Sequence, residues 1–312
     1  DVYAMSTYNT ITSLSQSPVD KNIIYAGTDD GIIQYTRDYG QNWTKVNVDK
    51  LSGVPKGSFV NDIKADLFDS NTVYVLLDNH KFGDYKPYVY KSVDGGESWV
   101  DIGNGIPDGF LCWRIVQDHV DKNLMFLGTE YGVYVSLNGG NNWIKFSNGI
   151  PTISIRDLAI QKRENDLVLA TFGRSFYVLD DYSPLRNFSD ENLKKKGHLF
   201  PIKDGKWFIQ RSDLGNTGAD FYLAENPKYG VTMTYHLGNN YETKSEKRKK
   251  SEKRLNQNLL DVPFPGYNNL DEEKNETPAY IKISIEDQEG NIIRHLKERA
   301  ARGTHRITWD LR

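Results

Sequence analysis

The stretch Ser92-Val93-Asp94-Gly95-Gly96-Glu97-Ser98-Trp99 follows the pattern Ser/Thr-x-Asp-x-Gly-x-x-Trp. The chain contains this pattern three times. The first copy is Thr36-Arg37-Asp38-Tyr39-Gly40-Gln41-Asn42-Trp43, and the third is Ser136-Leu137-Asn138-Gly139-Gly140-Asn141-Asn142-Trp143, with Asn at the acidic position. We refer to these stretches as the three acidic turns. Their recurrence predicts a repeat architecture.

The residue types of the acidic turns suit a tight hairpin. An Asp or Asn side chain accepts hydrogen bonds from nearby backbone amides and closes its own turn. Glycine takes positive φ without steric cost, and a Trp at the start of the return strand buries a large area between neighbouring units. The structural residues are Asp38, Gly40, Trp43, Asp94, Gly96, Trp99, Asn138, Gly140 and Trp143. Because its own loop engages the acid, we interpret the motif as structural rather than catalytic.

Residues 1–185 read as four repeats of short strands. The first strand of each repeat is predicted at residues 10–15, 60–65, 112–117 and 155–160. Four short strands in each unit, recurring about every 45 residues, are typical of β-propeller blades. The fourth repeat ends in Asp180-Asp181 without an acidic turn. The sequence therefore predicts three complete blades and most of a fourth.

The acidic turns resemble the Asp-box, or BNR repeat, of sialidases and of the sortilin family. Further short motifs resemble the last blades of sortilin-like (VPS10-like) exported bacterial proteins, which are often labelled glycosyl hydrolases. These motifs are Ser17-Pro18, Gly27-Thr28-Asp29-Asp30-Gly31, Gly128-Thr129-Glu130, and Phe172-Gly173-Arg174 with Leu179-Asp180-Asp181. The resemblance implies a larger propeller, an Ig-like β-sandwich after it, and export to the cell surface, the periplasm or the medium. The chain departs from the pattern at Phe172, where relatives carry His.

Residues 186–312 are expected to form the Ig-like sandwich, with a charged insertion at about 241–277. Strands are predicted at 199–201, 207–209, 231–237, 280–287, 292–293 and 303–310. Such a sandwich would lack one or two strands, so we expect the sequence to end before the protein does. We interpret the insertion as a solvent-exposed segment that is partly helical. The alternative, a basic patch for a polyanion, is weakened by Glu246 and Glu252, which dilute the positive charge.

Composition limits the partners and cofactors. The chain has 312 residues, 38% of them hydrophobic, and a net charge of −3, so we expect no general attraction to nucleic acid or anionic membranes. Cys112 is the single cysteine and is expected to be a buried thiol. The 6 His residues show no ligand spacing, and no cofactor is predicted; calcium at Asp29-Asp30-Gly31 is a weak alternative. The sequence contains neither a membrane-spanning run nor a signal peptide.

Propeller topology predicts where ligands would bind. The loops between second and third strands lie on the face opposite the acidic turns, where propellers usually bind ligands. These loops carry the binding candidates Asp29, Asp30, Glu130 and Arg174, together with Asp78 and His80. On the inner strands, Ser13, Asp62, Arg114 and Asp157 occupy one equivalent position and are expected to line the central channel.

Three functions remain open from the sequence. The first is a non-catalytic binding or scaffolding protein that holds a protein, peptide or glycan, with Asp62, Arg114 and Asp157 as salt links between blades. The second is a sialidase-like glycoside hydrolase that uses Asp62, Arg114 and Asp157, with further active residues in blades outside this chain or on other chains that complete the propeller. The third is a purely structural module. The arginines Arg114, Arg156 and Arg174 form no recognisable triad, and no Tyr–Glu pair stands out, so the first function is favoured.

Overall fold

The computed structural model describes residues 10–209 and 224–312. The chain divides into two compact units, Asp1–Arg186 and Asn187–Arg312. The first unit is mostly β structure, and the second combines antiparallel sheets with helices.

The described part of the first unit, from residue 10 onward, contains four sheets in chain order. The first has strands β1 (Ile11–Gln16), β2 (Ile24–Thr28), β3 (Ile32–Thr36) and β4 (Thr44–Asn47). The second has β5 (Phe59–Ala65), β6 (Val73–Asn79), β7 (Asp84–Ser92) and β8 (Val100–Asp101). The third has β9 (Cys112–Gln117), β10 (Met125–Thr129), β11 (Gly132–Ser136) and β12 (Ile144–Phe146). The fourth has β13 (Ile155–Gln161), β14 (Asp166–Thr171) and β15 (Phe176–Leu179). Short 3₁₀ turns are found at Val48–Lys50, His80–Phe82 and Ser183–Asn187.

Neighbouring sheets of the first unit meet through their first strands. β1 contacts β5, β5 contacts β9, and β9 contacts β13. Each sheet also shares an apolar core with the next. The first such core, for example, combines Tyr25 and Ile33 of the first sheet with Val60 and Ile63 of the second. Consecutive antiparallel sheets packed side by side in this way have the arrangement of propeller blades, and all four first strands lie where the sequence predicted them.

Two glycines permit this close packing. A β-carbon on Gly27 of β2 would lie 2.3 Å from a methyl of Val60 in the next sheet. A β-carbon on Gly128 of β10 would lie 2.8 Å from the backbone oxygen of Ile155. Any larger residue at either position would therefore push the adjacent first strand away.

Each acidic turn is closed by hydrogen bonds from its own backbone. Asp38 accepts from the amide of Asn42 at 2.9 Å, and Asp94 accepts from the amide of Ser98 at the same distance. In the third turn, Asn138 accepts from the amide of Asn142 at 3.0 Å. The glycines Gly40, Gly96 and Gly140 have φ values of 93°, 102° and 90°. An amide oxygen thus closes this turn in the same way as a carboxylate oxygen.

The three tryptophans differ in burial. Trp143 is 2% exposed, and its indole N–H donates to the backbone oxygen of Ile102, just after β8, at 2.8 Å. Trp99 packs against the core shared with the first sheet. Trp43 is 44% exposed, so the prediction that each tryptophan is buried between units is wrong for this residue. Trp99 and Trp143 pack on the preceding sheet, whereas no sheet precedes that of Trp43 within the described residues.

Within the described residues, the second unit combines two β layers with three helices. Its elements are α1 (Asp190–Lys194), β16 (Gly197–Leu199), β17 (Val231–Leu237), α2 (Lys244–Gln257), α3 (Tyr267–Asn275), β18 (Tyr280–Glu286), β19 (Ile292–Arg299) and β20 (Gly303–Trp309). One sheet has the order β16-β17-β20, and β18 and β19 form a hairpin. Apolar residues of the hairpin pack against a core that includes Met233, Tyr235 and Ile307.

Several predictions for the second unit need correction. Residues 207–209 form no strand, and the strand predicted at 199–201 ends at Leu199. The charged insertion is partly helical, as predicted, and its helical residues form two helices. Its polar sequence forms α2 because a capping box starts the helix at Thr243 and ion pairs to α3 stabilise it, so a large apolar face is not required.

Candidate functional site

The four inner-strand residues Ser13, Asp62, Arg114 and Asp157 occupy equivalent positions. They pair with Gly27, Leu76, Gly128 and Ala170 of the adjacent strands. In all four sheets a β-bulge lies immediately before this residue. A bulge inserts one extra residue and redirects its side chain.

These four side chains form a chain of polar contacts, which we call the inner ladder. The hydroxyl of Ser13 donates to Asp62 Oδ1 at 3.2 Å, and Arg114 Nη1 donates to the same oxygen at 3.0 Å. Arg114 Nε lies 3.2 Å from Asp157 Oδ1. Asp62 is 2% exposed, and burial raises the pKa of its carboxyl group while Arg114 opposes that rise. The ladder therefore links four strands, and Asp62 is too deeply buried to reach a substrate.

A pocket of about 370 Å³ opens beside the ladder, between loops of the second, third and fourth sheets. We call it the aromatic pocket. It is lined by Phe59, Asn61, Asp78, His80, Lys81, Tyr85, Gly109, Leu111, Trp113, Glu130, Tyr131 and Arg156. Its volume is within the range of sites that hold small ligands or single side chains.

Bulge residues supply three of the pocket's side chains. Asn61, Trp113 and Arg156 are the extra residues inserted just before Asp62, Arg114 and Asp157. The same irregularity that places the ladder residues therefore directs the preceding residues toward the pocket. Bulges are over-represented next to functional sites because they redirect side chains in this way.

Trp113, Glu130 and Arg156 form the centre of the pocket. Glu130 Oε2 accepts from Trp113 Nε1 at 2.9 Å and from the Ser154 hydroxyl at 3.1 Å, and Arg156 Nη2 lies 3.5 Å away. The Arg156 guanidinium carbon is 3.7 Å from the centroid of the Trp113 ring, a cation–π geometry. Glu130 is thus held as a hydrogen-bond acceptor.

A buried acid and a histidine, Asp78 and His80, also line the pocket. Asp78 is 2% exposed and contacts His80 Nδ1. The His80 ring meets the Trp113 ring edge-on, with centroids 6.3 Å apart. Lys81 Nζ lies 5.5 Å from the centroid of Phe59. Both pocket carboxylates are therefore engaged by protein groups.

The predicted binding residues do not all meet at this site. Glu130 lines the aromatic pocket, but Asp29, Asp30 and Arg174 are not among its lining residues. Asp29 Oδ1 accepts from the Thr10 amide at 2.9 Å, and Asp30 accepts from the Thr28 hydroxyl. These two acids shape the loop after β2. No group of three or more His, Cys, Asp or Glu within residues 10–209 and 224–312 is arranged to hold a metal.

The three arginines considered for a sialidase-like site do not line the aromatic pocket together. Asp62, Arg114 and Asp157 belong to the inner ladder. Arg156 lines the pocket, and Arg174 is exposed. The pocket roles of Trp113, Asn61 and Arg156 were not predicted from the sequence, although each directly precedes a predicted ladder residue.

A second set of buried carboxylates was missed by the sequence analysis. Asp118 is fully buried and accepts from Arg186 Nε and Nη2, both at 2.8 Å, and from the Tyr182 hydroxyl at 2.6 Å. Burial acts to raise the pKa of Asp118, but these hydrogen bonds outweigh it and lower the pKa below its ordinary value. Asp66 is equivalent in the second sheet, where it accepts from the Tyr74 hydroxyl. The sequence pattern that could have revealed Asp66 and Asp118 is the repeated spacing Ser17…Asp20, Asp66…Asp69 and Asp118…Asp121.

Cys112 is fully buried, and burial raises the pKa of its thiol. A protonated, inaccessible thiol is a poor nucleophile. In the described parts of the chain, no helix is long and apolar enough to cross a membrane.

No protein-family model and no curated protein matches the chain. Among solved structures, the GH74 enzyme of Niastella koreensis is 16% identical, with a TM-score of 0.45, over 55% of this chain and 29% of its own. YCF48 bound to D1 peptide is 18% identical, with a TM-score of 0.43, over 57% and 53%. An ancestral GH74 enzyme is 14% identical, with a TM-score of 0.46, over 94% and 33%. The matched regions therefore span 29–53% of these longer proteins. Likenesses at this level assign neither a family nor an activity.

Proposed function

We propose that this protein is a non-catalytic binding module and that the aromatic pocket holds its ligand. The observation that carries the proposal is the convergence of three bulge residues, Asn61, Trp113 and Arg156, on one pocket. In three sheets a β-bulge supplies one residue of the pocket wall, and β-bulges are over-represented next to functional sites.

The pocket chemistry favours a polypeptide segment with an acidic side chain beside an apolar one. Protein donors already engage the carboxylates of Asp78 and Glu130. Lys81 and Arg156 supply cations, and the rings of Tyr85 and Tyr131 are 53% and 43% exposed. A ligand carboxylate would pair with the cations while its apolar neighbour covers the rings. A protein or peptide therefore suits the pocket better than a neutral glycan.

The resemblance of the acidic turns to Asp-box repeats supports the same reading. Sortilin-like propellers hold ligands on a propeller face, and the aromatic pocket lies at the loops after second strands. Under this proposal the protein is exported, and the second unit is the Ig-like module of that family.

Binding to an array of short peptides tests the proposal. We expect the protein to retain peptides that carry Asp or Glu beside Leu or Phe, and to release their Lys-substituted counterparts. Arg156→Gln removes the cation and should weaken retention about tenfold or more. The matched control is Arg163→Gln, because the Arg163 side chain is 80% exposed and lies outside the pocket. Equal retention by wild type and Arg156→Gln would contradict the proposal.

A glycoside hydrolase is the second candidate, because Asp78 and Glu130 place two carboxylates in one pocket. Glycoside hydrolysis generally needs such a pair. The test is release of a fluorophore from aryl glycosides and aryl sialosides. Turnover that is abolished by Glu130→Gln or Asp78→Asn would replace the binding proposal with this one. Turnover that is abolished only by Asp62→Asn or Asp157→Asn would place the chemistry at the ladder instead.

A further inference from the structure

The insertion of the second unit forms a helical hairpin whose tip is apolar. Helices α2 and α3 are joined by residues 258–266, which we call the hairpin tip. Leu259 is 96% exposed, Leu260 56% and Phe264 64%, and Tyr267 at the start of α3 is 79% exposed. Monomeric proteins rarely keep several large apolar side chains together on one exposed segment, and such patches mark interaction sites.

Three acidic residues of the hairpin, Glu246, Glu252 and Glu273, form hydrogen bonds or ion pairs. Glu246 accepts from the Thr243 amide at the start of α2 and contacts Arg299. Glu252 accepts from Arg248 at 2.6 Å, and Glu273 of α3 accepts from two nitrogens of Arg248, both at 2.8 Å. These carboxylates therefore neutralise Arg248 and Arg299, in keeping with the expectation that Glu246 and Glu252 dilute the positive charge.

The outer surface of α2 remains basic. Lys247, Lys249, Lys253 and Arg254 are exposed, and their side chains form no ion pair with another described residue. A net charge of −3 for the whole chain thus conceals a local surface with four cations. This surface is complementary to an anionic partner.

Leu259 occupies a backbone position that normally favours glycine. The Leu260 amide donates to the Leu255 oxygen at 3.0 Å and the Leu259 amide to the Asn256 oxygen at 3.1 Å, which is a Schellman motif at the end of α2. Leu259 has a φ of 56°, in the left-handed region that disfavours residues other than glycine and asparagine. Because its side chain is almost fully exposed, no packing within the described residues compensates for this conformation. A residue that breaks a local rule without structural gain points to a function outside the fold.

We propose that the hairpin docks on a lipid bilayer with anionic headgroups. The apolar side chains of the tip would enter the interface, and the α2 cations would contact the headgroups. Along the helix axis, Lys253 and Arg254 lie about 7–9 Å behind Leu259 at 1.5 Å per residue. Apolar faces of interfacial helices enter to a depth of about 5–10 Å, so these cations would lie at the headgroup level.

A bilayer fits this surface better than an acidic protein does. The leucines and aromatic residues at the end of the hairpin are 56–96% exposed, and a fluid bilayer requires no complementary pocket. Asp261 is the one acidic residue of the tip and opposes binding. The expected attachment is therefore reversible and depends on the cations.

Sedimentation with lipid vesicles tests the electrostatic part. We expect the protein to bind vesicles that contain about 30% phosphatidylserine and not vesicles of phosphatidylcholine alone, with binding weakened as salt rises. Lys253→Glu with Arg254→Glu should weaken binding at least about tenfold. The control, Lys21→Glu with Lys50→Glu, changes the net charge equally at exposed sites of the first unit. Equal binding to both vesicle types, or wild-type binding by the Lys253/Arg254 variant, would overturn the proposal.

The apolar part is tested by Leu259→Gly. This change removes the apolar side chain and relieves the left-handed backbone, so the thermal midpoint should stay unchanged or rise while vesicle binding falls severalfold. Val120→Ser is the control, since Val120 is 58% exposed in the first unit. Vesicle binding that Leu259→Gly leaves intact would refute insertion of the tip. Binding to heparin or polyglutamate that is tighter than vesicle binding and insensitive to this change would assign the surface to another polyanion and refute the bilayer proposal.

Discussion

Two tryptophans at the same position of the repeat have very different surroundings. Trp143 is buried against the second sheet and donates a hydrogen bond to Ile102, whereas Trp43 is 44% exposed. The indole packs on the sheet that comes before its own turn, so its contribution depends on that neighbour. Burial between sheets, rather than the turn itself, therefore decides how much the tryptophan stabilises the unit.

We expect Trp143→Ala to lower the free energy of unfolding by about 3–5 kcal/mol, because it leaves a cavity and an unpaired backbone oxygen. Trp43→Ala should cost less than about 1.5 kcal/mol, because much of that side chain already contacts water. Urea unfolding followed by far-UV circular dichroism measures both. Similar losses for the two variants would show that the turn, and not the packing, carries the energy.

The acidic turns give stability that depends on pH. The amide of Asn42 lowers the pKa of Asp38 to about 2, and the hydroxyl and amide of Ser98 hold the pKa of Asp94 well below its ordinary value. A carboxyl group whose pKa is lower in the folded state stabilises the fold above its unfolded pKa of about 3.9. This contribution disappears as the pH falls through the folded pKa.

Asp38→Asn with Asp94→Asn should therefore flatten the loss of stability between about pH 4 and pH 2. The turns should survive, because Asn138 already closes the third one. Asp49→Asn is the control, since the Asp49 side chain is exposed and accepts no hydrogen bond from another described residue. Urea midpoints measured at several pH values test the prediction. An unchanged acid slope in the double variant would mean that other carboxyl groups govern acid unfolding.

At the scale of strands, the inner ladder joins neighbouring sheets through one arginine. Arg114 contacts the buried Asp62 on one side and Asp157 on the other. The Asp157 side chain is 62% exposed, so solvent screens its share of the interaction. The stabilising part of the ladder is thus the pairing of Arg114 with Asp62.

Arg114→Met should cost about 3–5 kcal/mol near neutral pH, because it leaves Asp62 buried without a cation. Asp157→Asn should cost less than about 1 kcal/mol.

The cost of Arg114→Met should also depend on pH. Burial raises the pKa of Asp62, and loss of Arg114 raises it further. A carboxyl group with a raised folded pKa favours the fold below its unfolded pKa, and that benefit is lost as the pH rises through the folded pKa. The Arg114→Met penalty should therefore grow between about pH 4 and pH 8. A penalty independent of pH would show that Asp62 is not the group left unpaired.

At the scale of the whole molecule, repetition made the first unit predictable. The strands and the ladder positions of Asp62 and Arg114 follow from aligning the repeats. The pocket was harder, because Trp113 and Arg156 reach it through bulges, and a bulge leaves no clear signal in a single sequence. The second unit has no repeat, and α3 escaped prediction because ion pairs to α2 rather than an apolar face hold it.

The first unit should also show graded local stability. All residues of β6, β10 and β11 are buried, whereas β15 is an edge strand with Phe176 69% and Val178 54% exposed. Local opening requires less free energy where few apolar contacts are lost. Hydrogen exchange followed by mass spectrometry should therefore find the slowest amides in β6, β10 and β11 and much faster exchange in β15. If β15 exchanged as slowly as β10, a further surface would have to cover its exposed apolar face in solution. In that case a binding partner or another copy would be needed to complete the fourth sheet.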